Sequence, residues 1–167
     1  MAFLLWITGL AGSGKTTIAK KVYSKMKKKH PASVFLDGDD FRSIMQDELG
    51  FDLKDRKKNA WRIARLCSFL TSQGVNVVCS TMSLYREIHT YNRKHNKKYY
   101  EVFIDVDMQE LIKRNKKGLY SLAIKGEMKN VTGIDLPFDK PQGAVVFKNN
   151  NLKEVKLNAE KIYQLIK

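Results

Sequence analysis

The chain has only two cysteines, Cys67 and Cys79, and neither lies in a CxxC pair or beside a His/Cys cluster. That scarcity excludes a disulfide framework and a zinc site and leaves both thiols as expected small buried hydrophobes. No run of eighteen apolar residues exists, so no membrane-spanning helix is expected. The N-terminal FLLWITGL is too short for a signal peptide and lacks its basic flank and small-residue cleavage site. The expectation is a soluble, cytoplasmic protein with no membrane partner. Negative charge is scarce too: 17 acids face 31 lysines and arginines, a net of +14. Such a balance invites a nucleic-acid reading. Yet no alternation of basic and aromatic residues marks a stacking platform for bases. Much of the excess is lysine in short runs such as Lys25, Lys27, Lys28 and Lys29, where a helix solvates its outer face. A dedicated nucleic-acid partner is therefore not expected, although the field would still attract small polyanions.

What is present is length and apolar content, 167 residues at 43% hydrophobic, for one domain with one core. Residues 3–8 (FLLWIT) form a continuous apolar run ending in glycine, which fits a strand buried on both faces of a parallel sheet. Residues 15–29 follow with Ile18, Ala19, Val22 and Met26 on one helical stripe. Short strands are expected at 34–36, 75–80, 100–105 and 144–147. Between them, Asp52 can cap a helix with Asp55 three residues on, and Ala60, Ile63, Ala64, Cys67 and Leu70 then recur at helical spacing to near Gly74. A polar helix over 85–95 and a short one ending near Arg114 follow. Leu152, Val155, Ala159, Ile162 and Ile166 line a closing helix. The lysine- and glycine-rich stretch KKGLYSLAIKGEMKNVTGID shows neither period, and residues of about 115–137 are expected to form a mobile lid. Strands alternating with helices imply an α/β fold with a parallel sheet, helices on both faces and a site at the strand C-termini.

Between the first strand and first helix, Gly9, Gly14, Lys15 and Thr16 satisfy G-x-x-x-x-G-K-S/T in the strand-to-helix context that the motif requires. Glycines let successive backbone N–H groups turn inward around a phosphate, and the helix N-terminus adds partial positive charge. Gly9, Ala11, Gly12, Ser13, Gly14, Lys15, Thr16 and Thr17 are thus the expected ATP-binding residues. Lys15 would reach the β- and γ-phosphates, and the Thr16 hydroxyl would ligate Mg²⁺. No NKxD stretch marks a guanine reader, and the single short domain leaves no room for the partner modules of motors and transporters. A P-loop kinase for a small acceptor is the favoured class.

The acceptor side is expected just after the second strand, in FLDGDDFRSIMQDELGFDLKDRKKN. Asp37, Asp39 and Asp40 at a strand C-terminus can orient the Mg²⁺ shell or take the proton of an attacking hydroxyl. Arg42 and Arg56 would act as anion forks, since guanidinium grips a tetrahedral oxyanion in two places. Arg56 and Asn59, at i and i+3, share a helix face.

The ordered set GLAGSGKTT, LDGDDFR, GFDLKDRKKN, KGLY and TGID resembles the adenylylsulfate (APS) kinase family from about Leu5 to Phe138. That family transfers the γ-phosphoryl group of ATP to the ribose 3′-hydroxyl of a nucleotide whose 5′-phosphate carries sulfate. The resemblance implies that Asp39 is the catalytic aspartate and a metal-side residue with Thr16. It makes Arg42, Arg56, Asn59 and Lys117 acceptor ligands, Phe51 the ring stacked on the acceptor base and Arg114 the neighbour of the ATP adenine; Asp37, Val131 and Thr132 are expected on the acceptor side with them. Ser83 matches a serine near the acceptor whose role stays open. A homodimer is implied by the same likeness, although the family's customary N-terminal arm is not seen here.

The departures bear on the acceptor. Val131 stands before Thr132 where the family usually has a phenylalanine that closes the other side of the adenine; Asp40 and Phe41 replace Asn-Val, and Met82 and Leu84 alter Ile-Ser-Pro-Tyr-Arg. Losing one of two stacked rings weakens base binding by about tenfold or more, at roughly 1 to 3 kcal/mol per stacked base. The short, lysine-rich chain is similar to a variant of this family that phosphorylates cytidine diphosphoramidate in capsule phosphoramidate biosynthesis. A smaller pyrimidine suits one ring plus Val131, and the same arginine forks serve a terminal phosphoramidate or a sulfate. The alternative acceptor is adenylylsulfate, in sulfate assimilation.

Overall fold

The computed structural model describes residues 1–45 and 49–167. Five strands form one sheet, in the order β2-β3-β1-β4-β5, and every pairing is parallel. They are β1 (Leu4–Thr8), β2 (Ser33–Asp37), β3 (Asn76–Ser80), β4 (Tyr99–Asp105) and β5 (Val145–Lys148). β1 lies at the centre, its five residues all buried, because it is paired on both sides and covered on both faces. The apolar run that suggested it is a consequence of that position.

The helices are α1 (Lys15–Lys29), α2 (Gly38–Ile44), α3 (Leu53–Ser72), α4 (Arg86–His95), α5 (Met108–Arg114), α6 (Leu119–Ile124) and α7 (Glu154–Leu165). Strand alternation sorts them between the faces. Leu5 and Ile7 pack with Ile18, Val22 and Met26 of α1 and with Val155, Ala159 and Ile162 of α7. Leu4 and Trp6 point the other way, to Ala60, Ile63, Ala64 and Cys67 of α3 and Ile88 of α4. Fully burying one such leucine or isoleucine contributes about 1.5–3 kcal/mol, so the central strand is a rigid base for the loop that leaves its end. The two cysteines are free and buried, as their isolation in sequence implied, and burial, with Cys67 beside it, pushes the Cys79 thiol well above its ordinary range.

Helix starts follow local chemistry. The Asp52 carboxylate accepts from the Asp55 amide at 2.8 Å and caps α3. α1 has no side-chain cap and no acid in its first turn, so its leading amides stay available to an anion. Its last turn carries Lys27, Lys28 and Lys29, which complement the negative end of the helix dipole.

Two expectations are corrected. The stretch without helical period contains a single 3₁₀ turn (Lys116–Gly118) followed by α6, whose Tyr120 is fully buried beside Leu10, Leu84 and Leu111. Six residues between glycine-bearing flanks are too few to display a stripe. Leu152 lies before α7 and is 71% exposed, whereas Val155, Ala159, Ile162 and Ile166 are buried as the spacing implied.

Candidate active site

The C-terminal ends of β1, β2 and β3 open into one cleft. It is lined by Ala11, Lys15 and Thr16 from the first loop and helix, by Asp37, Gly38, Asp39 and Arg42 after β2, and by Phe51, Arg56 and Asn59 at the start of α3. Ser80, Thr81, Met82, Ser83 and Tyr85 after β3 complete the wall with Lys116.

The glycine loop is tightly fitted. A side chain at Gly9 would meet Ser13 Oγ at 2.6 Å and the Ile104 carbonyl at 2.8 Å, and one at Gly14 would meet Asn149 Nδ2 at 2.7 Å. Gly14 also holds φ 87°, in the left-handed region. Lys15 follows at the first turn of α1, and burial, then the positive charge of Lys116, lowers its pKa to about 8. Asp39 and Asp37 oppose that shift. Lys15 and Lys116 both line the cleft, and two cations on one wall favour an anion beside them.

The acid that meets the loop is Asp37. Its Oδ2 accepts from the Thr16 hydroxyl at 2.9 Å, its Oδ1 accepts from the Asp39 amide at 3.0 Å, and Ser80 Oγ lies 3.2 Å from Thr16 Oγ1. Asp37 is buried and caps α2, so one side chain ties the phosphate loop to the helix that carries Asp39 and Arg42. Asp39 itself is exposed at the cleft surface. Thr16, Asp37 and Ser80 form an oxygen-only set suited to a hard divalent cation. Among the described residues no group of three or more His, Cys, Asp or Glu side chains forms a metal cluster.

On the acceptor side Arg42 and Arg56 flank Phe51, their guanidinium carbons 4.8 and 5.4 Å from the ring centre. Arg42 Nη1 donates to the Leu49 and Gly50 carbonyls, each at 3.0 Å, and Arg56 donates to the Phe51 carbonyl at 2.6 Å and the Asn130 carbonyl at 2.8 Å. The ring is 59% exposed and available for stacking. Asn59 is buried, and among the described residues its Oδ1 has no hydrogen-bond partner, an acceptor left for a ligand donor. Ser83 Oγ sits 2.9 Å from Thr81 Oγ1.

Gly9, Gly12, Ser13, Gly14 and Thr17 belong to the loop and helix start but not to the cleft wall. Arg114 lies outside the wall as well and donates to the Gly12 carbonyl at 3.1 Å and the Asn149 carbonyl at 2.7 Å. Lys117 is exposed in the 3₁₀ turn at φ 56°, and its neighbour Lys116 is the lysine on the wall. Val131 and Thr132 are buried at 2% and 6% exposure and do not line this cleft, and Val131 packs among Leu10, Leu84, Phe103 and Tyr120. The Asp135 carboxylate accepts from the Asn130 and Val131 amides at 2.7 and 2.5 Å, a turn that carries Val131 into the core. Sequence reasoning missed Gly38, Ser80, Thr81, Met82, Tyr85 and Lys116 as wall residues. Their signal was position after β2 or β3, and adjacency to Lys117.

The family model described as adenylylsulphate kinase matches residues 1–148. The chain belongs to the adenylylsulphate kinase family. It is therefore a kinase, a phosphotransferase with a hydroxyl acceptor and a nucleotide donor. It is 45% identical to the cytidine diphosphoramidate kinase of Campylobacter jejuni, over 91% of each chain. It is 37% identical to the adenylyl-sulfate kinase of a Picosynechococcus species, over 95% of this chain and 89% of that one. The solved Mycobacterium tuberculosis APS kinase, in complex with AMPPNP and APS, matches at a TM-score of 0.87 and 31% identity, covering 99% of this chain and 97% of its own. These likenesses bear out the expected fold and enzyme class of this family member.

Proposed function

We propose that this kinase transfers the γ-phosphoryl group of Mg·ATP to the ribose 3′-hydroxyl of cytidine diphosphoramidate. The observation that carries this reading is the 45% identity to the Campylobacter jejuni enzyme of that name, against 37% to the Picosynechococcus adenylyl-sulfate kinase. The cleft suits such an acceptor: Phe51 offers a face to a base, and Arg42 and Arg56 offer charge to a diphosphate-like tail. Because Val131 is not on the wall, the base preference in this reading rests on Phe51 and its surroundings rather than on a second stacked partner.

Transfer is an in-line displacement in which positioning and electrostatics do most of the catalysis. Lys15 and the loop amides would spread the γ-phosphoryl charge, and Asp39 would hold or deprotonate the attacking 3′-hydroxyl. Thr16 would hold Mg²⁺, with Asp37 and Ser80 as its hydrogen-bonded supports. When bound, the metal neutralises charge on the β- and γ-phosphates. Segment 115–137 serves as the lid in this reading, with Lys117 and Arg114 brought toward the nucleotides on closure. A cytoplasmic homodimer is part of the same proposal.

Adenylylsulfate is the second acceptor to weigh, supported by the match to a structure solved with APS. Acceptor-dependent ADP release with Mg·ATP, comparing the two acceptors at equal concentrations, decides between them. A preference for the cytidine compound is expected. A preference for adenylylsulfate would overturn the assignment, and no response to either would overturn the acceptor class.

A further inference from the structure

The phosphate loop is held from behind at each carbonyl from Leu10 to Gly14. The Leu10 carbonyl accepts from the Ser13 amide at 3.1 Å and the Gly14 carbonyl from the Ile18 amide at 3.0 Å, bonds internal to the loop and its helix. The three between them are taken by side chains from elsewhere. Tyr120 Oη donates to the Ala11 carbonyl at 2.8 Å, Arg114 Nη1 to the Gly12 carbonyl at 3.1 Å, and Asn149 Nδ2 to the Ser13 carbonyl at 2.7 Å. These donors come from α6, the end of α5 and the residue after β5.

We infer that Tyr120 and Asn149 are positioning residues for the donor nucleotide: by fixing the Ala11 and Ser13 carbonyls on the outer side of the loop, they set its amides for the phosphates. The inference rests on the reading of the loop as the donor-phosphate site and goes beyond it by assigning that geometry to two buried residues outside the cleft wall. A peptide unit is planar, so holding a carbonyl outward fixes the orientation of the amide that follows it. Asn149 is itself locked: it is fully buried, its amide donates to the Asp105 carbonyl at 3.0 Å, its carbonyl accepts from Arg114 Nη2, and Asn158 Nδ2 lies 3.4 Å from its Oδ1. Tyr120 is fully enclosed, and burial pushes its phenol up to about 12, so it remains a neutral donor throughout the working pH range. Through Tyr120, α6 is tied to the loop by this one hydrogen bond.

The test is titration calorimetry of the full chain with Mg·ADP, without acceptor, for wild type, Tyr120→Phe and Asn149→Ala, together with acceptor KM at saturating ATP. Tyr120→Phe removes one oxygen and keeps the ring, so the fold is retained. The expected result is ADP binding about fivefold weaker for Tyr120→Phe, the scale of one hydrogen bond, and weaker again for Asn149→Ala, with acceptor KM little changed. Unchanged ADP affinity in Tyr120→Phe would overturn the inference. So would a loss of ADP affinity matched by an equal rise in acceptor KM, the mark of general loosening. A wild type that does not bind Mg·ADP would instead overturn the donor-site reading on which the inference rests.

Discussion

Lys15 shows how one residue's surroundings become a measurable property. Its ordinary pKa is 10.5, and in the ligand-free protein burial and Lys116 bring it to about 8. A bound phosphate adds negative charge and reverses the shift, so nucleotide binding above pH 8 requires proton uptake. Below about pH 7 the ammonium is already charged in the free protein, and its affinity for Mg·ADP should be level. As pH rises through 8, affinity should fall by up to about tenfold per pH unit, because each bound nucleotide must recharge a neutral amine. Nucleotide phosphates are ionised throughout that window and do not offset the trend. Calorimetry from pH 7 to 9.5 checks this, and a level profile would mean that Lys15 stays charged without ligand. In Lys15→Arg the fall should disappear, since guanidinium does not titrate in this range.

At the scale of elements, the N-terminus of α3 is both a structural joint and an acceptor wall. The Asp52 cap fixes the first turn, and the next turn carries Arg56 and Asn59 into the cleft. Asp55 adds a second tie, accepting from the Gly50 amide at 2.7 Å and so holding the loop that carries Phe51. Asp52→Ala should cost about 1 kcal/mol of stability, the usual value of an N-cap, seen as a lower urea midpoint. It should also raise acceptor KM while leaving ATP KM close to wild type, because α1 and its loop are not capped by this residue. Equal effects on both substrates would show that the two halves of the site are mechanically one. This cap was legible in the sequence because Asp52 and Asp55 lie three residues apart, as were β1 and α1, where a continuous run gives way to a regular stripe. α6 was not legible, being too short to show a period. Nor were the braces on the loop: Tyr120 and Ala11 are 109 residues apart, and Asn149 and Ser13 are 136 apart, so only the folded sheet brings them together. The burial of Val131 likewise depends on a turn closed by the Asp135 side chain, which substitution patterns around the acceptor base do not reveal.

Across the whole molecule, the net charge of +14 acts on substrates before contact. Both proposed substrates are polyanions, and a cleft with Lys15, Lys116, Arg42 and Arg56 on its wall concentrates field lines from a positive surface. That long-range part decays with a Debye length of about 30 Å at 0.01 M salt and about 10 Å at 0.1 M. The cations at the far end of α1 separate the two contributions. Lys27, Lys28 and Lys29 end a 15-residue helix whose first residue is Lys15, which places them about 20 Å from the loop at 1.5 Å per residue. They are near enough to steer at low salt and too far to touch substrate. kcat/KM for the acceptor should therefore fall as ionic strength rises from 0.01 to 0.2 M, with kcat nearly constant. Replacing the three lysines with glutamine should lower kcat/KM at 0.01 M and leave it at the wild-type value at 0.2 M, where their field is screened. If the triple variant matches wild type at every ionic strength while the salt dependence persists, steering belongs to the cleft cations alone. A kcat/KM indifferent to salt in the wild type would assign the surplus lysines to solubility and remove them from the encounter with substrate.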